Sequence, residues 1–369
     1  MSKEQQQSIE TILAQIGART DKATGALNSP VYFSTTYQHP EFGKSTGYDY
    51  TRTKNPTRAI AEEALATLEG GAVGLVTSSG MSAIQLAVEY FPLGSEIIAC
   101  RDLYGGSYRW FNQLNEKGAY KFKYADSEED FLRLISEKTV AVFVETPTNP
   151  LMNELDIEKI SEVAHNNGAL VIVDNTFYTP IIQRPLELGA DIVVHSATKY
   201  LGGHNDLLAG AVITKDEKIG EQLGFNLNTT GQVLSPFDSW LLIRGMKTLA
   251  LRMSRHEENA AKIVAFLEKS DSVKEVLYTG RGGMISFKVT EEQTIPAFIN
   301  SLKLFTFAES LGGVESLITY PTTQTHADIP AEVRESYGLT DDLLRLSVGI
   351  EAPEDLIADL EQAFLASGD

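Results

Sequence analysis

Between about residues 71 and 215 the chain repeats one pattern: a short apolar run, a loop marked by Gly or Pro, and a longer amphipathic stretch. Most of the runs are rich in β-branched residues, and their apolarity is continuous rather than alternating. Strands buried on both faces require such runs, and the intervening helices make the sheet mostly parallel. The runs are 74–77, 96–99, 140–144, 170–173, 191–194 and 211–214. The sequence therefore predicts an α/β domain.

The rest of the chain predicts a smaller domain and an N-terminal arm. A helical pattern over about 238–270 contains the expected domain boundary. Mixed strand and helix patterns follow and end in an amphipathic helix over 354–366, which predicts an α+β domain. The first fifty residues have little periodicity, so we expect an extended arm that reaches a neighbouring subunit. The predicted units are the arm (1–50), the α/β domain (51–245) and the C-terminal α+β domain (246–369).

Charge and composition limit the possible partners. The formal net charge of −19 would repel a phosphate backbone, so nucleic acid is not an expected partner. No apolar run approaches the roughly 20 residues that span a bilayer, so no membrane contact is expected. The polar start lacks the apolar region of a secretory signal, and Cys100 is the single cysteine. We expect a cytoplasmic protein that acts on small molecules.

Lys199 is the residue on which the prediction of catalysis depends. Segment 191–204 resembles a strand that delivers Ser196, Thr198 and Lys199 to its carboxyl end, where such sheets bind ligands. A lysine whose ammonium form is disfavoured can form an imine with an aldehyde cofactor such as pyridoxal phosphate (PLP). The two hydroxyl groups can donate to the cofactor phosphate. The alternative is a surface lysine after an edge strand, and only the neighbouring motifs argue against it.

Two other strand ends supply such motifs. Asp174 ends the apolar segment 168–174, where a carboxylate can keep a pyridine nitrogen protonated. A helix cap or a turn is the alternative for Asp174. At the end of the run 74–77, a Ser-Ser-Gly turn leads into a helix, so the backbone of Gly80 and Met81 can donate to a phosphate. This motif is weak when taken alone.

Aromatic and basic residues complete the predicted cofactor site. Tyr104 follows the run 96–99 and could stack on the cofactor ring, although loop packing would also explain a tyrosine there. Tyr50 and Arg52, in the predicted arm, offer a phenol and a guanidinium group to the phosphate, although a solvated surface pair is the commoner arrangement.

With these motifs together, the chain resembles the Cys/Met-metabolism (transsulfuration) family of PLP enzymes from about Gly25 to the last helix. The resemblance implies the aspartate-aminotransferase-like fold, fold type I, with a mostly parallel sheet in the large domain. It also implies that Lys199 is the Schiff-base lysine, Asp174 the pyridinium partner and Tyr104 the stacking residue. The motifs that carry the resemblance are 50–57, 78–81, 145–150, 174–176 and 196–204. The implied cofactor-binding set is Tyr50, Arg52, Gly80, Met81, Tyr104, Asp174, Thr176, Ser196, Thr198 and Lys199.

The resemblance further implies how substrate and subunits are arranged. Arg345 would grip the substrate α-carboxylate, assisted by Asn149 and the backbone near Ser310. Glu309 matches a glutamate typical of members that act at Cγ. Tyr50 and Arg52 would reach the phosphate of a neighbouring subunit, which implies a homotetramer built from dimers with shared sites.

The compact form of the chain is similar to members that carry out γ-replacement on an O-acylhomoserine. Cysteine would give cystathionine and sulfide would give homocysteine, with Lys199 moving protons and Tyr104 as a candidate base toward the incoming group. The alternative within the family is a cystathionine γ- or β-lyase. Outside catalysis, a non-catalytic binding protein of this fold would be expected to have lost the lysine or the carboxylate, and both are present. A metal enzyme is disfavoured because the histidines show no paired ligand spacing.

Overall fold

The larger sheet has seven strands, and it confirms the predicted α/β architecture. The computed structural model describes residues 7–368. The strands lie in the order β1-β7-β6-β5-β4-β2-β3. β2 pairs with β3 and β4, β4 with β5, and β5 with β6, all in parallel, whereas β7 is antiparallel to β1 and β6. The strands are β1 (Val73–Thr77), β2 (Glu96–Cys100), β3 (Lys121–Ala125), β4 (Thr139–Glu145), β5 (Leu170–Asp174), β6 (Ile192–Ser196) and β7 (Gly210–Thr214).

Helices cover this sheet and bury the central strands. Phe111 stacks on Phe122 and meets Phe143 edge-on, which fixes the helix that follows Tyr104 against β3 and β4. The helices up to the end of this part are α1 (Ile9–Gln15), α2 (Pro56–Glu69), α3 (Gly80–Val88), α4 (Gly105–Glu116), α5 (Glu128–Leu134), α6 (Ile157–Asn166), α7 (Thr179–Ile182), α8 (Glu217–Thr230), α9 (Pro236–Met246) and α10 (Leu249–Leu267). Continuous apolar strands are therefore buried as their composition requires.

A second sheet of five strands forms the smaller α+β part, in the order β10-β11-β12-β9-β8. Its core contains Phe287, Phe298 and Phe364, and the last two rings are stacked. The strands are β8 (Val273–Leu277), β9 (Met284–Val289), β10 (Thr306–Phe307), β11 (Leu317–Thr319) and β12 (Leu343–Ser347). The helices are α11 (Ile295–Ser301), α12 (Ala331–Ser336) and α13 (Pro353–Ala366). β12 and β11 bring residues of this part to the large sheet.

The connecting helical region differs from its predicted form. The pattern over 238–270 is not one helix, because Lys247 and Thr248 separate α9 from α10. In the predicted arm, α1 packs Leu13 into the large core, and the stretch between α1 and α2 has only isolated bridges such as Thr36 with Tyr50. Residues 1–6 of the arm and residue 369 lie outside the described residues. The predicted domain bounds stay predictions.

No helix in the described part of the chain combines the length and the apolarity needed to cross a bilayer.

Candidate active site

A cavity of about 220 Å³ lies at the carboxyl ends of the large sheet, where the smaller sheet meets it. It gathers most of the side chains that the sequence singled out. The residues predicted to hold the cofactor that line it are Gly80, Met81, Tyr104, Asp174, Thr176, Ser196, Thr198 and Lys199. The residues predicted to hold the substrate that line it are Asn149, Glu309, Ser310 and Arg345. Tyr50 and Arg52 do not line this cavity.

Lys199 lies just after β6, in a loop closed by a hydrogen bond from Gly203 N–H to the Lys199 carbonyl oxygen at 2.7 Å. Its Nζ donates to Ser310 Oγ at 2.9 Å. Burial and the charge of Arg345 lower the pKa of Lys199 to about 8, against the opposing effect of Glu309. A large fraction of this amine is therefore neutral, and hence nucleophilic, at mildly alkaline pH.

Asp174 ends β5 and is almost fully buried. Its Oδ1 accepts from the Thr176 backbone N–H at 3.0 Å and from the Thr176 hydroxyl at 2.5 Å. The Thr176 hydroxyl oxygen also accepts from Ser196 N–H at 2.8 Å, so it ties β5 to β6. Burial raises the pKa of Asp174, although Thr176 and His195 oppose that rise. A cation placed beside this carboxylate would restore its charge.

The turn from β1 into α3 forms a cradle for an anion. Ser79 caps α3 by accepting from Ser82 N–H at 3.1 Å, and the helix begins at Gly80. A Cβ on Gly80 would lie 2.7 Å from the Ser196 Cβ, so only glycine permits this approach of α3 to β6. The N-terminus of a helix attracts anions through its free N–H groups and its dipole. The Thr198 hydroxyl currently donates to the Ala209 carbonyl oxygen at 3.2 Å.

Arg345, on β12, is 1% exposed and faces the cavity from the smaller sheet. Its guanidinium donates to Asn149 Oδ1 at 2.8 Å, to the Ser310 carbonyl oxygen at 3.2 Å and to Thr319 Oγ1 at 3.2 Å. Its Nε has no hydrogen-bond partner among the described residues. Burial lowers the pKa of Arg345 to about 10. A buried cation with an unused donor suits a small carboxylate.

Ser310 has a φ of +90°, a conformation that residues other than glycine rarely adopt. The Ser310 hydroxyl oxygen accepts a hydrogen bond from Lys199 Nζ, and its carbonyl oxygen accepts one from the Arg345 guanidinium. Ser310 therefore contacts both basic side chains of the site. Glu309, the residue before it, is exposed at the cavity.

Tyr104 precedes α4, and its backbone N–H donates to Glu145 Oε2 at 2.9 Å. Tyr104 is 39% exposed and lines the cavity. Burial and the charge of Glu309 raise the pKa of the Tyr104 phenol. The phenol therefore remains protonated near neutral pH.

Tyr50 and Arg52 lie elsewhere on the surface. Tyr50 is 47% exposed, and the Arg52 guanidinium donates to the Asn228 carbonyl oxygen and lies over the Tyr50 ring. The loop that carries them is held by the buried Arg58, which donates to the Thr51 carbonyl oxygen at 2.8 Å.

Glu145 is a cavity residue that was not among the site residues predicted from the sequence, although it lies in the motif 145–150. It ends β4 opposite Asp174 in the parallel register, and it is buried. Burial and the charge of Asp174 raise the pKa of Glu145 well above its usual range. Its position at the end of a buried strand was the available signal.

These residues fit PLP. An aldehyde requires an amine of lowered pKa, and Lys199 supplies it. A pyridine nitrogen requires a buried carboxylate, and Asp174 has no ion-pair partner among residues 7–368. A phosphate suits the N-terminus of α3, where Gly80 allows the close approach. No group of three or more His, Cys, Asp or Glu residues suited to a metal ion occurs among residues 7–368. Fold and site therefore define a PLP enzyme of fold type I.

The family can be named more closely. The family model for the Cys/Met metabolism PLP-dependent enzymes matches residues 10–365, and the chain belongs to this family. A cystathionine γ-synthase/O-acetylhomoserine (thiol)-lyase of Bacillus subtilis (strain 168) is 58% identical over 97% of this chain and 96% of the relative. A cystathionine γ-synthase of Haemophilus influenzae is 51% identical over 98% of both chains.

This chain is also similar to a lyase and to a synthase of known crystal structure. A cystathionine β-lyase of Lactococcus lactis subsp. cremoris is 46% identical over 96% of this chain and 98% of the relative. The crystal structure of cystathionine γ-synthase from Xanthomonas oryzae pv. oryzae with aminoacrylate and cysteine matches at a TM-score of 0.96. That match has 40% identity and covers 98% of this chain and 99% of the other.

Proposed function

We propose that this chain catalyses γ-replacement on an O-acylhomoserine in methionine biosynthesis, with cysteine giving cystathionine or sulfide giving homocysteine. The observation that carries the choice is the order of similarity. The synthase/(thiol)-lyase of Bacillus subtilis and the synthase of Haemophilus influenzae share 58% and 51% identity, above the 46% of relatives named as β-lyase and γ-lyase, whereas a synthase of Escherichia coli shares 44%. The bifunctional synthase/(thiol)-lyase is the activity that these values favour.

In this proposal Lys199 moves the protons. PLP, when bound, supplies the electron sink that lets a carbanion form at Cα and the acyloxy group leave Cγ. The Lys199 amine takes the proton from Cα and delivers protons to neighbouring carbons, since it is buried and has a pKa near 8. Ser310 Oγ holds Nζ while the amine is in the site.

Asp174 and the cradle at α3 hold the cofactor. The Asp174 carboxylate keeps the pyridine nitrogen protonated, and Thr176 orients that carboxylate through two hydrogen bonds to Oδ1. Gly80, Met81, Ser196 and Thr198 hold the phosphate. The Thr198 hydroxyl must turn from the Ala209 carbonyl oxygen to do so.

Arg345 and Asn149 bind the substrate α-carboxylate. Arg345 is already oriented by Asn149 Oδ1 and the Ser310 carbonyl oxygen. Its Nε has no hydrogen-bond partner among the described residues and can therefore donate to a ligand. Glu309, exposed at the same cavity, is placed to attract the ammonium group of an incoming cysteine.

Tyr104 stacks on the cofactor and assists the incoming group. Its raised phenol pKa means that it serves as a base only where cations lower that pKa, and Arg109 and Arg345 both act in that direction. In the resting site the phenol is protonated and can donate a hydrogen bond.

Tyr50 and Arg52 complete the site of a neighbouring subunit in this proposal. Both lie outside the cavity of their own chain, and Tyr50 is half exposed. The proposal includes a cytoplasmic homotetramer built from dimers with shared sites, as the family resemblance implies.

A substrate panel on the purified, PLP-loaded protein tests the proposal. Rates of O-acetylhomoserine and O-succinylhomoserine with cysteine or sulfide are compared with the rate of cystathionine cleavage. We expect kcat/KM for replacement to exceed that for cleavage by at least about tenfold, a difference of about 1.4 kcal/mol in transition-state stabilisation. Faster cleavage than replacement would make the enzyme a cystathionine lyase.

A further inference from the structure

The two loops that carry Tyr104 and Asn149 come from different strands, yet the proposed chemistry needs them in one fixed arrangement. Residues 102–104 follow β2 and residues 149–151 follow β4. Tyr104 would stack on the cofactor, whereas Asn149 orients Arg345. Hydrogen bonds between these loops fix where the Tyr104 ring lies relative to Asn149 and Arg345, which would bind the substrate carboxylate.

Two buried carboxyl groups hold the backbone of these loops. Asp102 Oδ2 accepts from the Leu151 N–H at 3.3 Å, which joins the first loop to the second. Glu145 Oε2 accepts from the Tyr104 N–H at 2.9 Å, which joins the first loop to the end of β4. Both carboxyl groups are less than 10% exposed.

His326 reaches both loops from the smaller part of the chain. Its Nε2 lies 3.3 Å from the Leu103 carbonyl oxygen and 3.1 Å from the Asn149 carbonyl oxygen. Two carbonyl acceptors require a proton on Nε2, so Nδ1 accepts from the Thr325 hydroxyl at 2.8 Å. The ring is 1% exposed, and its N–H is shared between the two loops.

The backbone around His326 is fitted closely to the Tyr104 turn. A Cβ on Gly105 would lie 2.1 Å from the Thr325 carbonyl oxygen, so the two segments are in direct contact. Displacement of His326 would therefore move the start of α4, and Tyr104 with it. Packed interiors transmit such shifts because they have little free volume.

We propose that His326 is a positioning residue that sets the relative placement of Tyr104 and Asn149, within a clamp formed by Asp102, Glu145 and His326. The inference rests on the proposed function for the roles of Tyr104 and Asn149. The hydrogen bonds of the His326 ring go to two backbone carbonyl groups and to Thr325, so it acts through the loops it joins.

The test compares His326→Gln with His326→Leu. Glutamine places an N–H group near the position of Nε2, whereas leucine fills the space without a donor. Hydrogen–deuterium exchange is measured at the Tyr104 and Leu151 amides of the PLP-loaded protein, and kcat and KM are measured with O-acetylhomoserine and cysteine. In the leucine variant we expect exchange about tenfold faster at both amides. We also expect a loss of kcat/KM of about 10- to 100-fold, and partial recovery of both quantities in the glutamine variant.

His256→Leu is the matched control. His256 is also buried and also bonds to a carbonyl oxygen, that of Val348, at 2.7 Å. The His256→Leu variant should have its unfolding temperature lowered about as much as the His326→Leu variant. Its Tyr104 and Leu151 amides should keep wild-type exchange rates. If His326→Leu does not fold, His326→Asn replaces it, since the shorter amide keeps the polarity but falls short of the two carbonyl groups.

The outcomes separate the clamp from the proposed function. Wild-type exchange or wild-type kcat/KM in His326→Leu overturns the clamp, and so does a glutamine variant as impaired as the leucine variant. If the His326 variants show the expected changes in exchange but the wild-type protein performs no γ-replacement, the clamp stands and the proposed function is refuted.

Discussion

The lowered pKa of Lys199 predicts an unusually reactive amine in the cofactor-free protein. A lysine with the ordinary pKa of 10.5 is only about 0.3% neutral at pH 8, whereas one with a pKa of about 8 is about half neutral. The neutral fraction at pH 8 is therefore about 150-fold larger. Because only the neutral amine is nucleophilic, labelling of Lys199 should rise as the pH passes through about 8 and level off above it.

The charges that face Lys199 give this prediction a direction that can be checked. Arg345 lowers the pKa of Lys199, so Arg345→Met should move the inflection to higher pH. Glu309 raises it, so Glu309→Gln should move the inflection to lower pH. Burial is the largest cause, so neither change should restore the ordinary value.

Competitive acetylation with added Nα-acetyl-lysine as internal standard measures this reactivity, with the Lys199 peptide quantified by mass spectrometry from pH 6 to pH 11. The standard corrects for the pH dependence of the reagent. A Lys199 profile that follows the standard would mean that the pKa of Lys199 is not lowered. Shifts in the same direction for the two variants would refute the assigned electrostatics.

Three further predictions concern the assigned roles. Asp174→Asn should retain some bound cofactor but lose turnover by orders of magnitude, since an amide cannot keep the pyridine nitrogen protonated; absorbance and steady-state rates measure this, and wild-type rates would assign Asp174 to structure. Arg52→Ala and Lys199→Ala subunits should each be inactive, whereas mixed oligomers should regain activity; no recovery despite demonstrated subunit exchange would mean that each chain builds its own site. Glu309→Ala should impair the reaction with cysteine more than that with sulfide, which has no ammonium group; equal loss for both nucleophiles in steady-state kinetics would contradict this role.

The sequence predicted the large sheet well because buried parallel strands leave a simple signal. The missing strand was β3, an edge strand in which Lys121 and Lys123 are exposed and interrupt the apolar run. The helical pattern over 238–270 carries no Pro, and Gly245, two residues before Lys247, is buried inside α9, so the separation at Lys247 and Thr248 was not predicted.

Site residues could be predicted where a local sequence pattern marks them. Asp174 directly follows the run 170–173 and Lys199 lies five residues after the run 191–194, so parallel pairing places both at the carboxyl ends of neighbouring strands. Arg345 lies on a strand of the other sheet, and only the family resemblance pointed to it. The contacts of His326 join carbonyl groups 177 and 223 residues away, and no local pattern predicts such pairings.

Borohydride reduction of the PLP-loaded protein, followed by peptide mapping, tests whether Lys199 holds the cofactor. Reduction fixes the cofactor to the lysine that holds it, and a mass shift identifies that residue. We expect the modification to lie on Lys199, and Lys199→Ala to show neither the modification nor the visible absorbance of the bound cofactor. A modification on any other lysine of the wild-type protein would contradict it.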